Sequence, residues 1–104
     1  MVRAILLRRV KRVDTAGLVE IVLWRVPPTR ANPDGLRYRV AFVRPGARTP
    51  AVLYDCHEPK GHHRHVEGVE TVYHFVDVAQ LGRDFTADVR RVIGDPTWDG
   101  FAEP

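Results

Sequence analysis

The chain has 104 residues, 44% of them hydrophobic, and a formal net charge of +3. This length fits one domain and is too short for two full cores, and the apolar fraction argues against a disordered chain. A single cysteine excludes an internal disulfide and favours a cytoplasmic protein. No stretch approaches the length of a membrane span, so we expect no association with a membrane.

The first part of the chain predicts three strands separated by turn residues. Residues 3–13 and 18–26 are rich in β-branched and aromatic side chains, and Pro27 and Pro28 end the second strand. Residues 36–44 alternate between apolar and polar side chains, which is typical of a strand with one buried face. The predicted buried row of this strand is Leu36, Tyr38, Val40 and Phe42, with Arg37 and Arg39 on the opposite face.

The second part predicts two further strands and one helix. Residues 50–56 and 69–76 have strand composition, and the polar stretch over 57–68 is predicted as the hairpin connection between them. Asp77 begins a capping-box pattern and Gly94 ends the helix. The predicted apolar stripe is Val78, Leu81, Phe85, Val89 and Val92, whereas Asp84 and Asp88 are predicted to lie in solvent.

These elements predict the α+β class. Strands joined by short turns favour an antiparallel sheet of about five strands, with one C-terminal amphipathic helix packed on one face. We expect a single domain over residues 1–93, followed by an irregular C-terminal tail over residues 94–104.

Arginine supplies nearly all of the positive charge, because the sequence has just two lysines, Lys11 and Lys60. The planar guanidinium suits phosphate recognition better than an ammonium group does. The arginines of the predicted strands, Arg25, Arg37 and Arg39, are therefore candidate nucleic-acid-binding residues. An ordinary solvated face that carries arginines is the alternative.

The most unusual stretch runs from Tyr54 to His65 and holds four of the five histidines. Histidine accepts and donates protons near neutral pH, and a cation can stabilise the crowded phosphate of a cleavage reaction. With Lys60 and Arg64 among the histidines, the stretch has the side chains that RNA cleavage requires.

Two other interpretations of the histidine cluster stay open. If the chain after Gly61 is extended, His63 and His65 share one face, while His62 and Arg64 share the other. In one interpretation His63 and His65 then form a metal site that His57 or Asp55 completes, although the spacing matches no established zinc pattern. In the remaining interpretation the histidines belong to a polar loop without chemistry.

A series of motifs along the chain matches a known family. In the first half the match is looser, at Glu20, Trp24, Arg25, Pro27, Tyr38 and Arg39. In the second half it comprises Tyr54-Asp55, Lys60-Gly61, His63-Arg64-His65, Glu70, Tyr73, Phe75, Leu81, Asp84-Phe85 and Asp88-Val89. Over roughly residues 3–92 the chain resembles the TumE-type toxin family of bacterial and archaeal toxin–antitoxin modules. The resemblance implies a small toxin that acts on RNA and is encoded beside a DNA-binding antitoxin.

We therefore expect a toxin-like domain that cleaves RNA with neither a metal nor another cofactor. His63 and His65 are the candidate acid and base. The supporting residues are Lys60 and Arg64, which stabilise the phosphorane, and Tyr54 and Asp55, which orient a histidine or the substrate.

Two alternative functions stay open at this point. One is a non-catalytic module that binds protein or nucleic acid through the basic sheet and the histidine segment. The other is a metal-dependent nuclease that uses the histidine cluster. The sequence also leaves a homo-oligomer open.

Overall fold

Six strands and one helix follow one another in the computed structural model, which describes residues 3–57 and 59–100. Every pairing is antiparallel, and the strands lie in the sheet in the order in which they occur in the chain. The predicted α+β class is confirmed. The elements are β1 (Ile5–Val13), β2 (Leu18–Arg25), β3 (Leu36–Val43), β4 (Val52–His57), β5 (Gly61–Val66), β6 (Val69–Val72) and α1 (Val78–Ile93).

The sheet has six strands where about five were predicted, because part of the predicted hairpin connection is β5. This strand pairs with β4 on one side, with Asp55 opposite His63, and with β6 on the other side, with His65 opposite Glu70. Its polar sequence lacks the apolar alternation by which strands are predicted, and its two neighbours hold it extended through their backbone hydrogen bonds. Glu58 lies outside the described residues.

The two faces of the sheet differ in what covers them. One face, called here the helix face, packs its apolar side chains against α1 and forms the core. Its buried side chains include Val19, Ile21, Tyr38, Val40, Phe42, Val52, Tyr54 and Cys56. The opposite face is called the open face, and it bears Arg9, Lys11, Glu20, Val22, Trp24, Arg37, Arg39, Asp55, His57, His63, His65 and Glu70.

Helix α1 begins and ends as predicted. The Asp77 carboxylate accepts a hydrogen bond from the backbone N–H of Gln80 at 2.7 Å, and Gly94 adopts a left-handed φ of 71° at the other end. The stripe residues Leu81, Phe85 and Val89 are fully buried, whereas Val92 is half-buried and Val78 exposed.

Asp88 differs from its predicted position in solvent, because only 3% of its surface is exposed. It directly precedes Val89 of the apolar stripe and lies on the flank of the helix that meets the sheet. Burial of a charge at that position requires paired donors, and the sheet supplies them, as described below.

The chain after α1 returns to the core. Residues 95–100 form no helix or strand, but Trp98 is 6% exposed and packs edge-on against Phe42 and Phe85. The Trp98 carbonyl accepts a hydrogen bond from Arg90 Nε at 2.6 Å. The part of the predicted tail from residue 101 onward lies outside the described residues.

The N-cap of α1 gives a first test of the fold. Asp77→Ala should lower the free energy of unfolding by about 1 kcal/mol, since the N–H of Gln80 loses its acceptor. Asp77→Ser should retain most of the stability, because serine caps helices as well as aspartate does. Denaturant melts measure both. Equal losses for the two variants would mean that the side chain of Asp77 matters for something other than the cap.

Candidate active site on the open face

The strand period sends alternate residues of β4 and β5 to the open face. Asp55 and His57 reach it from β4, and His63 and His65 reach it from β5. The geometry expected for an extended chain after Gly61 is therefore present, with two histidines side by side on one face. These histidines lie on a paired strand, and this gives their side chains fixed directions.

Asp55 lies at the centre of this group. It is directly opposite His63 on one neighbouring strand and directly opposite Arg39 on the other. On its own strand, His57 Nε2 lies 3.9 Å from a carboxylate oxygen of Asp55. One carboxylate is thus flanked by two imidazoles and a guanidinium, an arrangement that can orient the rings and balance their charge.

His63 has a defined tautomer. Its Nδ1 lies 3.0 Å from the carbonyl oxygen of Gly61, and because a carbonyl only accepts hydrogen bonds, Nδ1 carries the proton. In the neutral ring Nε2 then has a free lone pair and can accept a proton. The residue is 8% exposed, so the sheet holds the ring firmly.

His65 and Lys60 share one carboxylate, that of Glu70. His65 Nε2 lies 3.6 Å from Glu70 Oε1, and Lys60 Nζ donates a hydrogen bond to the same oxygen. This hydrogen bond, with the charges of Lys60 and His65, lowers the pKa of Glu70 below its ordinary value. Glu70 is therefore an anion at neutral pH and is placed to pair with a protonated His65.

A groove opens beside these residues on the open face. It has a volume of about 310 Å³, and its wall includes Trp24, Arg37, Arg39, Asp55 and His57. A second groove of about 420 Å³ also has Arg37 and His57 in its wall, together with Val26, Pro27, Thr29 and Asn32.

Arg25 does not join the other two candidate nucleic-acid-binding residues. It follows Trp24 by one position on β2, so its side chain leaves the sheet on the side of Leu36, the helix face. Arg37 and Arg39 are both on the open face. The position beside Arg37 on β2 is taken by Trp24.

Tyr54 and Arg64 lie on the helix face, where they bind Asp88. Arg64 Nε and Nη2 each donate to the Asp88 carboxylate at 2.7 Å, and Arg64 Nε also lies 3.0 Å from the Tyr54 hydroxyl. The Tyr54 hydroxyl donates to the same carboxylate, and Arg91 completes its set of donors. The structure therefore does not bring Tyr54 and Arg64 together with His63 and His65, because neighbours along a strand point to opposite faces.

The group around the buried Asp88 carboxylate (Tyr54, Arg64, Asp88 and Arg91) is called here the Asp88 lock, and its contacts shift the pKa values of Asp88 and Tyr54. Burial opposes ionisation of Asp88, but the hydrogen bonds from Arg64 and Tyr54 outweigh it, and the pKa of Asp88 is lowered. Burial and the hydrogen bond to Asp88 raise the pKa of Tyr54, so its hydroxyl stays protonated. The lock attaches α1 to β4 and β5 by a charged contact.

His62 is also on the helix face and holds a loop in place. Its Nδ1 lies 2.7 Å from the Tyr38 hydroxyl, its Nε2 lies 3.0 Å from Asp34 Oδ2, and its ring stacks on Phe75. It takes no part in the group of side chains around the sites on the other face, called here the open-face group: Trp24, Arg37, Arg39, Asp55, His57, His63, His65 and Glu70.

Two residues of the open-face group have no catalytic or binding role in the sequence prediction: His57, which is named there only as a metal ligand, and Trp24. Both could be found from the period of two. His57 follows Asp55 by two positions, and Trp24 shares a face of β2 with Glu20 and Val22. The burial of Asp88 had no such signal, because its partners on the sheet, Arg64 and Tyr54, are 24 and 34 positions away.

Within the described residues, no three or more His, Cys, Asp or Glu side chains are grouped so that they could hold a metal ion. None of the helices in that part of the chain is long and apolar enough to cross a membrane.

Comparison with known proteins identifies the class of protein to which this small α+β domain belongs. The family model described as Toxin TumE matches residues 3–93. The chain therefore belongs to the TumE toxin family, and the predicted resemblance is confirmed. It is a toxin of a toxin–antitoxin module, which implies an antitoxin as its partner. No curated protein and no solved structure matches the chain.

Proposed function

We propose that this toxin acts on RNA as a metal-independent ribonuclease whose acid and base lie on the open face. The observation that carries the proposal is the placement of His63 and His65 on one face of one strand, each beside a carboxylate. Asp55 is opposite His63, and Glu70 is opposite His65. Two residues apart on a strand, the histidines are about 7 Å apart at the backbone, a span that brackets one phosphate.

His63 is the base in this proposal, because its Nδ1 proton is directed to Gly61 and leaves Nε2 to accept a proton. His65 is the acid, because Glu70 pairs with its protonated form. Nε2 of His63 takes the proton of the ribose 2′-OH as the 2′ oxygen bonds to phosphorus. The bond from phosphorus to the 5′ oxygen breaks, and His65 gives its proton to that oxygen. The products are a 2′,3′-cyclic phosphate and a 5′-OH end.

Cations around the two histidines stabilise the charge that develops on the phosphate. Lys60 binds the same Glu70 carboxylate that lies beside His65. Arg39 and His63 lie on the two strands that flank Asp55, and both are directly opposite it. Arg37 extends the positive surface along β3.

Arg64 and Tyr54 act differently in this proposal, as positioning residues. Through the Asp88 lock they fasten β4 and β5 to α1, and β5 carries both histidines. They hold the site without touching the substrate. Arg25, on the helix face, contributes only a distant charge.

A non-catalytic binding module is the second candidate function. The observation in its favour is the burial of His63, which is 8% exposed and already hydrogen-bonded to Gly61. The basic open face would then bind a nucleic acid or a protein without cleaving it. In either case we propose that the toxin works in the cytoplasm and is held inactive by a DNA-binding antitoxin encoded nearby.

The ribonuclease proposal is tested by expression and by the chemistry of the products. Expression without the antitoxin should stop growth, and purified toxin should cut RNA in the presence of EDTA and leave a 2′,3′-cyclic phosphate. The double variant His63→Ala, His65→Ala should do neither. His74→Ala is the matched control, because this exposed histidine lies outside the open-face group. RNA that stays intact with antitoxin-free wild-type protein would leave the binding module as the function.

A further inference from the structure

Three open-face side chains form a row across neighbouring strands and do not belong to the proposed acid–base pair. Trp24 on β2 is directly opposite Arg37 on β3. Arg37, together with His57 on β4, lines both of the adjoining grooves. The row crosses two strand spacings, about 10 Å, and ends beside Asp55, whose carboxylate lies 3.9 Å from His57 Nε2.

Trp24 is the unusual member of this row. The other tryptophan, Trp98, is 6% exposed and packs in the core against Phe42 and Phe85. Trp24 is half-buried on the face that α1 does not cover, and it lines a groove of about 310 Å³. It therefore presents an indole surface to whatever enters the groove.

The neighbours of Trp24 define the chemistry of that occupant. A guanidinium at Arg37 suits a phosphate, and an indole suits a flat aromatic ring. Val22 and Val26 add apolar walls to the two grooves. An aromatic ring joined to a phosphate is a nucleotide, and a groove of this volume is of the size that takes a small ligand.

Resting on the proposed function, we infer that Trp24, Arg37 and His57 form a subsite for one unpaired nucleotide, so that the substrate is single-stranded RNA. The base stacks on the indole of Trp24, and its phosphate binds Arg37. The RNA strand then continues past His57 towards Asp55 and His63. In an A-form duplex the bases are stacked within the helix and do not reach a side chain on a flat sheet face.

The test uses a single-stranded 2′-O-methyl oligonucleotide, which cannot be cleaved by attack of the 2′-OH. Binding is followed at constant salt by tryptophan fluorescence, with the same strand annealed to its complement and polyglutamate as comparison ligands. The single strand should quench the emission of Trp24, and the duplex and polyglutamate should not. The buried Trp98 gives a constant background, which the variant Trp24→Phe reports by itself.

The affinities of variants for the single strand test whether Trp24 contributes to binding. Trp24→Ala should weaken binding of the single strand about tenfold or more, as for loss of one base–aromatic stack. Trp24→Phe should retain most of the affinity. Val13→Ala, an exposed apolar position at the far end of the open face, is the matched control and should change nothing. Thermal melts verify that each variant is folded.

The outcomes separate this inference from the ribonuclease proposal. If Trp24→Ala leaves the affinity unchanged, or if duplex or polyglutamate quenches equally well, the subsite is wrong, even where cleavage still requires His63 and His65. If the single strand quenches Trp24 and needs it for affinity but natural RNA stays intact, the subsite stands and the ribonuclease proposal fails.

Discussion

Replacing Asp88 by alanine should lower the free energy of unfolding by about 1.5–3 kcal/mol, because the buried carboxylate accepts charge-assisted hydrogen bonds from the half-buried Arg64. The substitution removes the carboxylate that Tyr54, Arg64 and Arg91 share, and it leaves the half-buried guanidinium of Arg64 with the Tyr54 hydroxyl as its remaining acceptor in this group. Denaturant melts give the loss directly. Asp84→Ala is the matched control on the same helix, and it should cost less, because Asp84 is half-buried and its two hydrogen-bond donors, Tyr73 and Gln80, carry no charge.

A paired replacement distinguishes a lost charge pair from lost packing. The double variant Asp88→Leu, Arg64→Met removes both charges together and should be more stable than Asp88→Ala, because no half-buried guanidinium is left without its carboxylate. A loss below about 1 kcal/mol for Asp88→Ala would contradict the Asp88 lock as a stabilising attachment of α1 to the strands.

The Asp88 lock should also make the free energy of unfolding fall as the solution is acidified. The pKa of Asp88 is lowered in the folded protein. Its contribution is therefore complete above the ordinary carboxyl pKa of about 3.9 and is lost as the pH falls through the lower folded value. Asp88→Asn should be less stable than wild type at neutral pH, and the difference between the two should shrink on acidification.

Single substitutions of the two open-face histidines should each reduce the rate of RNA cleavage by about 10²–10⁴, the usual contribution of a positioned acid or base. His63→Ala removes the group that accepts the 2′-OH proton, and His65→Ala removes the proton donor. Initial cleavage rates on one RNA substrate measure both losses. His74→Ala should keep the wild-type rate.

The pH dependence of the wild-type rate should be bell-shaped, because one histidine must be neutral and the other charged. Its two limbs belong to the coupled pair and not to either residue alone. In either single variant the profile should lose its bell shape, because one of the two coupled groups is gone. A rate that stays flat between about pH 5 and 8 would argue against histidine acid–base chemistry.

The sequence predicts the fold well where its apolar pattern is strong. The alternation of β3 and the three- and four-residue spacing in α1 predict the buried sides of both elements, and Tyr38, Phe42, Leu81 and Phe85 are buried as expected. The pattern is missing in β5, because only Val66 of its residues is aliphatic. Its strand structure comes from pairing with β4 and β6, which no local signal records.

The candidate site is predictable as far as the strand period extends. The period of two assigns His63 and His65 to one face and Arg64 to the other, as the structure has them. It gives no information about which elements cover each face, so the sequence grouped Tyr54 and Arg64 with the histidines because they are neighbours in the chain. The position of Asp88 depends on contacts across the fold, and its charge alone suggested a place in solvent.

The order of the strands affects how the chain folds. Each strand pairs with the one made just before it, so every step closes a loop between neighbours in the chain and costs little loop entropy, which favours fast folding. Helix α1 follows all six strands and supplies Phe85, which packs on Tyr54. On the ribosome the sheet therefore has an uncovered apolar side until α1 emerges. The interval in which this chain is most exposed to aggregation thus falls late in its synthesis.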